Sequence, residues 1–286
     1  MKPGAGLHEL APVLTLDLFP EERAALLELL SSLADEEWGS PTVCPGWSVR
    51  DIAAHLLGDD ISRLSRGRDA FAGAAFVPSA SDDFEAELLA FINRQNEAWV
   101  EATRRLSPRL LIDLLRWSGE ETQRYFESLD PYALGEPVSW AGPEPAPVWL
   151  DIAREYTERW LHQQQIRDAV GRPGLKDRRL FAPVLDTFVR ALPHTFRDVG
   201  APAGTHVRLT ITGDAGGSWS LVRGEDGWRL YGQAGGEPRA AVVLDQETAW
   251  RLFTKGISPG EAAARCTFAG ERALGLKVLD TVSIIA

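Results

Sequence analysis

Residues 147–170, PVWLDIAREYTERWLHQQQIRDAV, decide how the first part of this chain folds. The stretch holds no Gly or Pro after Pro147, and it runs into Gly171 and Pro173. That is a helix with its stop signal: a Gly able to take positive φ just past the last turn, then a Pro that cannot continue. Glu158 and His162 are four residues apart, so their side chains stand one above the other on a single face. Glu155 and Asp151 lie along the same stripe, with Ile152, Tyr156, Trp160 and Ile166 beside it. An exposed pair of this kind adds only about 0.2–0.5 kcal/mol to a helix. A pair hemmed by Trp and Tyr predicts instead a helix that turns it into a bundle.

A second stretch, residues 44–57 (CPGWSVRDIAAHLL), supplies a partner. Pro-Gly marks a turn, Ser48 is the expected N-cap, and Asp51 three residues later completes a capping box and suits the helix dipole. Val49, Ile52, Ala53 and Leu56 form the apolar face, and His55 sits among them. Alone, such a histidine reads as core. Opposite an inward Glu/His pair, it completes the donor types of a divalent metal site: His55, Glu158 and His162. Two imidazoles and one carboxylate leave a tetrahedral ion one open corner, as catalytic rather than closed structural sites do. Glu155, seven residues before His162, is an alternative carboxylate. Asp51, one turn before His55, is a candidate to orient it, although capping already accounts for it.

The PGWSVRDxxAHL string at 45–56 and the ERWLHQQQIRDAVGRP string at 158–173 resemble the maleylpyruvate isomerase-type, mycothiol-dependent enzymes. These are DinB/YfiT-like metal-binding four-helix bundles. VLDQETAWRLFTK at 243–255 and LDTVSIIA at 279–286 resemble the C-terminal domain of the same group, itself similar to sterol-carrier proteins. The resemblance implies an α+β protein with a bundle at residues 1–174 and a mainly antiparallel α/β domain at 175–286. It also implies a metal, usually zinc, on His55, Glu158 and His162, and mycothiol or a similar thiol as cosubstrate. The motifs do not separate the family's substrates, so no particular electrophile follows.

Residue patterns give the same organisation. Residues 20–37, 48–66, 82–106 and 108–129 read as helices, Phe84, Leu88, Phe91 and Ile92 marking the buried side of the third. A Pro-rich loop at 141–147 precedes the helix that opened the argument. Beyond residue 175 comes a helix at 180–199, interrupted near Pro193, and then the period-two run HVRLTITG at 206–213 of a half-buried strand. Strands at 219–222 and 228–231 flank the hairpin signal Glu225-Asp226-Gly227. A strand at 239–244 and a helix at 246–255 follow. GDAGG at 213–217, between two strands, reads as a turn rather than a phosphate cradle.

Composition sets limits. The 286 residues are 44% hydrophobic and 25% charged, values of a globular chain with substantial cores. A net charge of −11 argues against nucleic acid or anionic membrane as partner. No apolar run reaches membrane-spanning length, no basic-then-apolar leader opens the chain, and the expected setting is the cytoplasm. Cys44 and Cys266 fall in different expected domains, so no disulfide framework is expected, and Cys44 reads as a small buried thiol. His194 and His206 have no partners at ligand spacing.

P-loop, dinucleotide-binding, HExxH and GxSxG motifs are all lacking. Three function classes then fit: a metal-dependent thiol transferase or isomerase acting on a small electrophile, a hydrolase using metal-bound hydroxide, and a non-catalytic metal or ligand carrier. Arg159 and Arg167 are candidates to meet the polar groups of a thiol cosubstrate, and Trp160 to line its pocket.

Overall fold

Helix α1 (Phe19–Ser31) opens with Pro20 in its first turn and acids at Glu21 and Glu22. It stops short of the expected residue 37, at a C-cap on Ser32 whose hydroxyl donates to the Leu29 carbonyl at 2.7 Å. A short 3-10 turn at Glu37–Gly39 follows. The chain is described by a computed structural model over residues 6–71, 73, 76 and 84–284. Helix α2 (Val49–Arg63) begins as expected: Ser48 accepts from the Asp51 amide, and the Asp51 carboxylate accepts from the Ser48 N–H. A π-turn at Leu64–Arg68 continues it.

Helix α3 (Phe84–Thr103) carries Leu88, Phe91 and Ile92 half-buried, while the expected start at residues 82–83 lies outside the described residues. Helix α4 (Pro108–Glu127) is capped by Ser107 and has Pro at its start. Its buried side, with Leu111 and Leu115, meets Leu26 and Leu30 of α1 and Ile52, Leu56 and Leu57 of α2 in one core.

The Pro-rich loop is more ordered than its composition suggests. Strand β1 (Leu134–Pro137) pairs antiparallel with β2 (Pro145–Pro147), and the chain then enters helix α5 (Val148–Val170). Gly171 closes that helix at φ +65, the left-handed geometry expected of a glycine in that place.

Two compact units result. One comprises Leu16–Asp130 with Glu155–Leu175 and is helical. The other takes the chain up to Thr15, Pro131–Arg154, and Lys176 onward. In this second unit, helix α6 (Arg178–Val189) is capped by Asp177, and the break before Pro193 leaves a one-turn α7 (Leu192–Thr195). Strands β3 (His206–Thr212), β4 (Gly217–Arg223), β5 (Trp228–Tyr231), β6 (Ala240–Asp245) and β7 (Thr267–Gly270) form a sheet in the order β5-β4-β3-β6-β7. Three of its ladders are antiparallel; the central β3–β6 pair is parallel, with Leu209 opposite Val242. Helices α8 (Gln246–Phe253) and α9 (Pro259–Ala263) connect β6 to β7, and α10 (Arg272–Val278) follows. Alternate residues Val207, Leu209 and Ile211 of β3 and Ala240, Val242 and Leu244 of β6 are buried. The architecture is thus α+β, with a helical part and a mainly antiparallel sheet. Among the described residues, no helix is long and apolar enough to cross a membrane.

Candidate metal centre

Helices α2 and α5 run antiparallel; three contacts fix their register, and a fourth ties the segment before α2 to α5. Cys44 Sγ lies 3.4 Å from Gln165 Oε1. Further along, the His55 and His162 rings lie edge to face, 4.6 Å between centroids. Arg159 then donates to Asp60 at 2.7 Å, and Arg63 to Glu155 at 2.5 Å. As one helix ascends, the other descends, so a histidine near the middle of each meets its counterpart.

Each histidine has a carboxylate on its own helix. His55 Nε2 is 3.3 Å from Asp59 Oδ2, and His162 Nε2 is 3.5 Å from Glu158 Oε2. Donor atoms of His55, Asp59 and His162 all lie within 4.8 Å of one another. His162 Nδ1 faces Gln165 Oε1 at 2.8 Å. That contact makes Nδ1 the protonated nitrogen and leaves the Nε2 lone pair facing the cluster. Trp47 also packs on His55, 5.1 Å between ring centroids.

Electrostatics favour neutral imidazoles here. Burial pushes His55 down to about 4. His162 is lowered by burial first and then by His55. Asp59, intermediate in exposure, is pushed up to about 6 by desolvation among the surrounding groups, against the pull of His162. Uncharged imidazoles are the form a metal requires, since a protonated ring has no lone pair to give.

Below this cluster lies a buried ion network. Asp60 accepts from Arg159 and from the Ser118 hydroxyl, both at 2.7 Å, and pairs with Arg23 at 2.9 Å. Burial pushes Asp60 up, but Arg23 and Arg159 outweigh it and its carboxyl stays below the ordinary value. Glu155, the alternative ligand, is held by Arg159 at 2.8 Å and by Arg63. Its carboxylate neutralises guanidinium groups and belongs to the network, not to the histidine pair.

Other expectations resolve similarly. Asp51 is committed to Ser48 and to Arg104, 3.1 Å away, so it caps α2 and does not orient His55. Arg159 is too deep to greet a ligand, and Arg167 is tied to Gln163 and to the Arg172 carbonyl. Trp160 is fully buried and donates to the Leu175 carbonyl, so it is core rather than pocket wall. Burial raises the Cys44 thiol, against its hydrogen bond with Thr42, which keeps it from being a thiolate nucleophile.

Asp59 and Gln165 are the two site residues that sequence reasoning misses. Asp59 carries a usable signal: His55 and Asp59 have the same four-residue spacing as Glu158 and His162. Gln165 carries a weaker one, three residues beyond His162 in a run of three glutamines.

Residues 19–167 match the family model described as the mycothiol maleylpyruvate isomerase N-terminal domain. Two uncharacterized proteins of Mycobacterium tuberculosis, from strains CDC 1551 and H37Rv, are each 26% identical over 208 residues, 72% of this chain and 76% of theirs. Crystal structures of the mycothiol-dependent maleylpyruvate isomerase and of a histidine-to-alanine mutant align at 17% and 14% identity. Each alignment covers 83% of this chain and 86% of the solved one, with a TM-score of 0.49.

Proposed function

Because the chain belongs to the family of the mycothiol maleylpyruvate isomerase N-terminal domain, we propose that it is a metal-dependent enzyme that activates a low-molecular-weight thiol, mycothiol foremost, against a small electrophile. The observation that carries this reading is the juxtaposition of the His55 and His162 rings, 4.6 Å apart, with carboxylates at 3.3 and 3.5 Å. His55, Glu158 and His162 are the proposed ligands, and zinc the proposed ion. Metal–ligand bonds of about 2.0–2.1 Å at tetrahedral angles put donor atoms about 3.3–3.4 Å apart, and of the proposed ligands the His162–Glu158 pair stands near that, at 3.5 Å.

A divalent ion bound there supplies the charge that keeps a thiol ionised at neutral pH. The chain's own residues do the rest. Gln165 fixes the His162 tautomer so that Nε2 points inward. Trp47 and the surrounding core hold the His55 ring against rotation. Asp60, Arg159 and Glu155 pin α2 to α5, fixing the distance between the two histidines. The thiolate sulfur then attacks a conjugated double bond; rotation about the former double bond and expulsion of the sulfur give cis–trans isomerisation. Displacement of a leaving group by the same sulfur gives S-transfer. A cytoplasmic setting suits either outcome, since reduced thiols are maintained there.

Protein purified without chelator should carry about one divalent ion per chain by elemental analysis, and His55→Ala or His162→Ala should lose it. Full retention in both variants would overturn the ligand assignment. Purified protein should consume mycothiol with an electrophile faster than glutathione or bacillithiol. Turnover that proceeds equally well without any thiol would sink the thiol-activation reading and favour hydrolysis by bound hydroxide.

A further inference from the structure

Resting on that reading, we propose that Asp59 is a fourth protein ligand, so that the centre at rest has two imidazoles and two carboxylates, and that an incoming thiol displaces Asp59. Three observations converge on it. Its Oδ2 stands 3.3 Å from His55 Nε2, the edge length of a tetrahedral shell. Its carboxylate shares with His55 and His162 a set of donor atoms all within 4.8 Å. Its place on α2 repeats, in reverse order, the four-residue spacing of Glu158 and His162 on α5.

Exposure says which donor yields. Asp59 is 34% exposed at its side chain, Glu158 20%, His162 11% and His55 9%. An exogenous ligand arrives from the solvent side, so the donor it meets first is Asp59. A carboxylate that leaves the ion there is rehydrated without opening the core. Four protein donors would also balance the charge: two carboxylates neutralise a divalent ion, and exchanging one for a thiolate keeps the shell's charge unchanged, the thiol's proton passing to the released Asp59 carboxylate or to water.

Cobalt(II) added to the metal-free full-length protein tests both parts, since its visible absorption reports coordination number and donor type. Asp59→Ala and Asp59→Asn should bind cobalt at least about tenfold more weakly than the parent, in the manner of lost metal-site partners, and their visible bands should shift. With saturating mycothiol, the spectra of parent and Asp59→Ala should converge, because Asp59 has left the ion in the first and is missing from the second. Unchanged affinity and spectrum in both variants, with far-UV circular dichroism confirming the fold, would overturn the ligand. Spectra that still differ under thiol would overturn displacement. If His55→Ala also binds cobalt as the parent does, the metal centre itself falls, a result distinct from failure at Asp59 alone.

Discussion

Gln165 shows how much one amide contributes to a site it does not enter. Its Oε1 receives the His162 ring and the Cys44 thiol, so it holds an imidazole tautomer and ties the approach to α2 onto α5. Gln165→Ala frees the ring to rotate and to take the other tautomer. Metal affinity should fall by about 10–100-fold, measured by competition with a chromophoric chelator, while the fold is retained. Affinity unchanged from the parent would show that packing alone orients His162. The histidines are legible in the sequence because they stand out against apolar neighbours. Gln165 and Asp59 are harder to see, since a glutamine among glutamines and an aspartate beside another aspartate look like solvated surface, and only the four-residue spacing from His55 marks Asp59.

At the scale of elements, the helix starts and stops are legible because they are local chemistry. Ser48 and Asp51, Ser107 and Pro108, and Gly171 each act within a few residues, and each behaves in the structure as its type dictates. Pairing over long range is not legible. Nothing local in AGPEPAP at 141–147 announces that Pro145–Pro147 lies beside Leu134–Pro137, nor does the β3 pattern declare a parallel neighbour. Glu155 is ambiguous in the sequence for the same reason: the arginine that decides its role, Arg63, is 92 residues away.

Gly58 is a further case. A glycine inside α2 looks like a defect costing about 1 kcal/mol against alanine. Yet a Cβ there would sit 2.7 Å from the Trp99 indole, whose Nε1 donates to the Ala54 carbonyl at 2.7 Å. The missing side chain is what lets α3 approach α2. Gly58→Ala should therefore destabilise by about 1–3 kcal/mol in urea unfolding, despite the better helix propensity. Stabilisation instead would mean that Trp99 can move aside at little cost.

For the whole molecule, acid tolerance is set partly within the unit that carries the sheet. His206 opens β3 almost fully buried, and neither ring nitrogen has a hydrogen-bond partner among the described residues. Burial first, and Arg208 second, hold it below its ordinary value of 6.5. The unfolded chain therefore binds a proton below that value that the folded chain refuses. Stability contributed by the neutral ring is intact above it and drains away as pH falls towards the folded-state pKa. Between about pH 7.5 and 5.5, the parent should lose up to about 1.4 kcal/mol more than His206→Leu. Urea unfolding at both values checks this; equal losses would mean that the ring is satisfied or solvated.

The reversed spacing of the two donor pairs has one more consequence. Histidine precedes carboxylate on α2 and follows it on α5, and the helices are antiparallel, so the spacing alone would set an approximate two-fold axis between the rings, from which their edge-to-face meeting already departs. Such an axis would make the two sides of a bound molecule indistinguishable. The surroundings break it: an indole lies against one imidazole and an amide against the other, and the acids differ by a methylene. A flat, prochiral electrophile at the axis therefore meets two unlike flanks, and addition to its two faces should proceed at unequal rates.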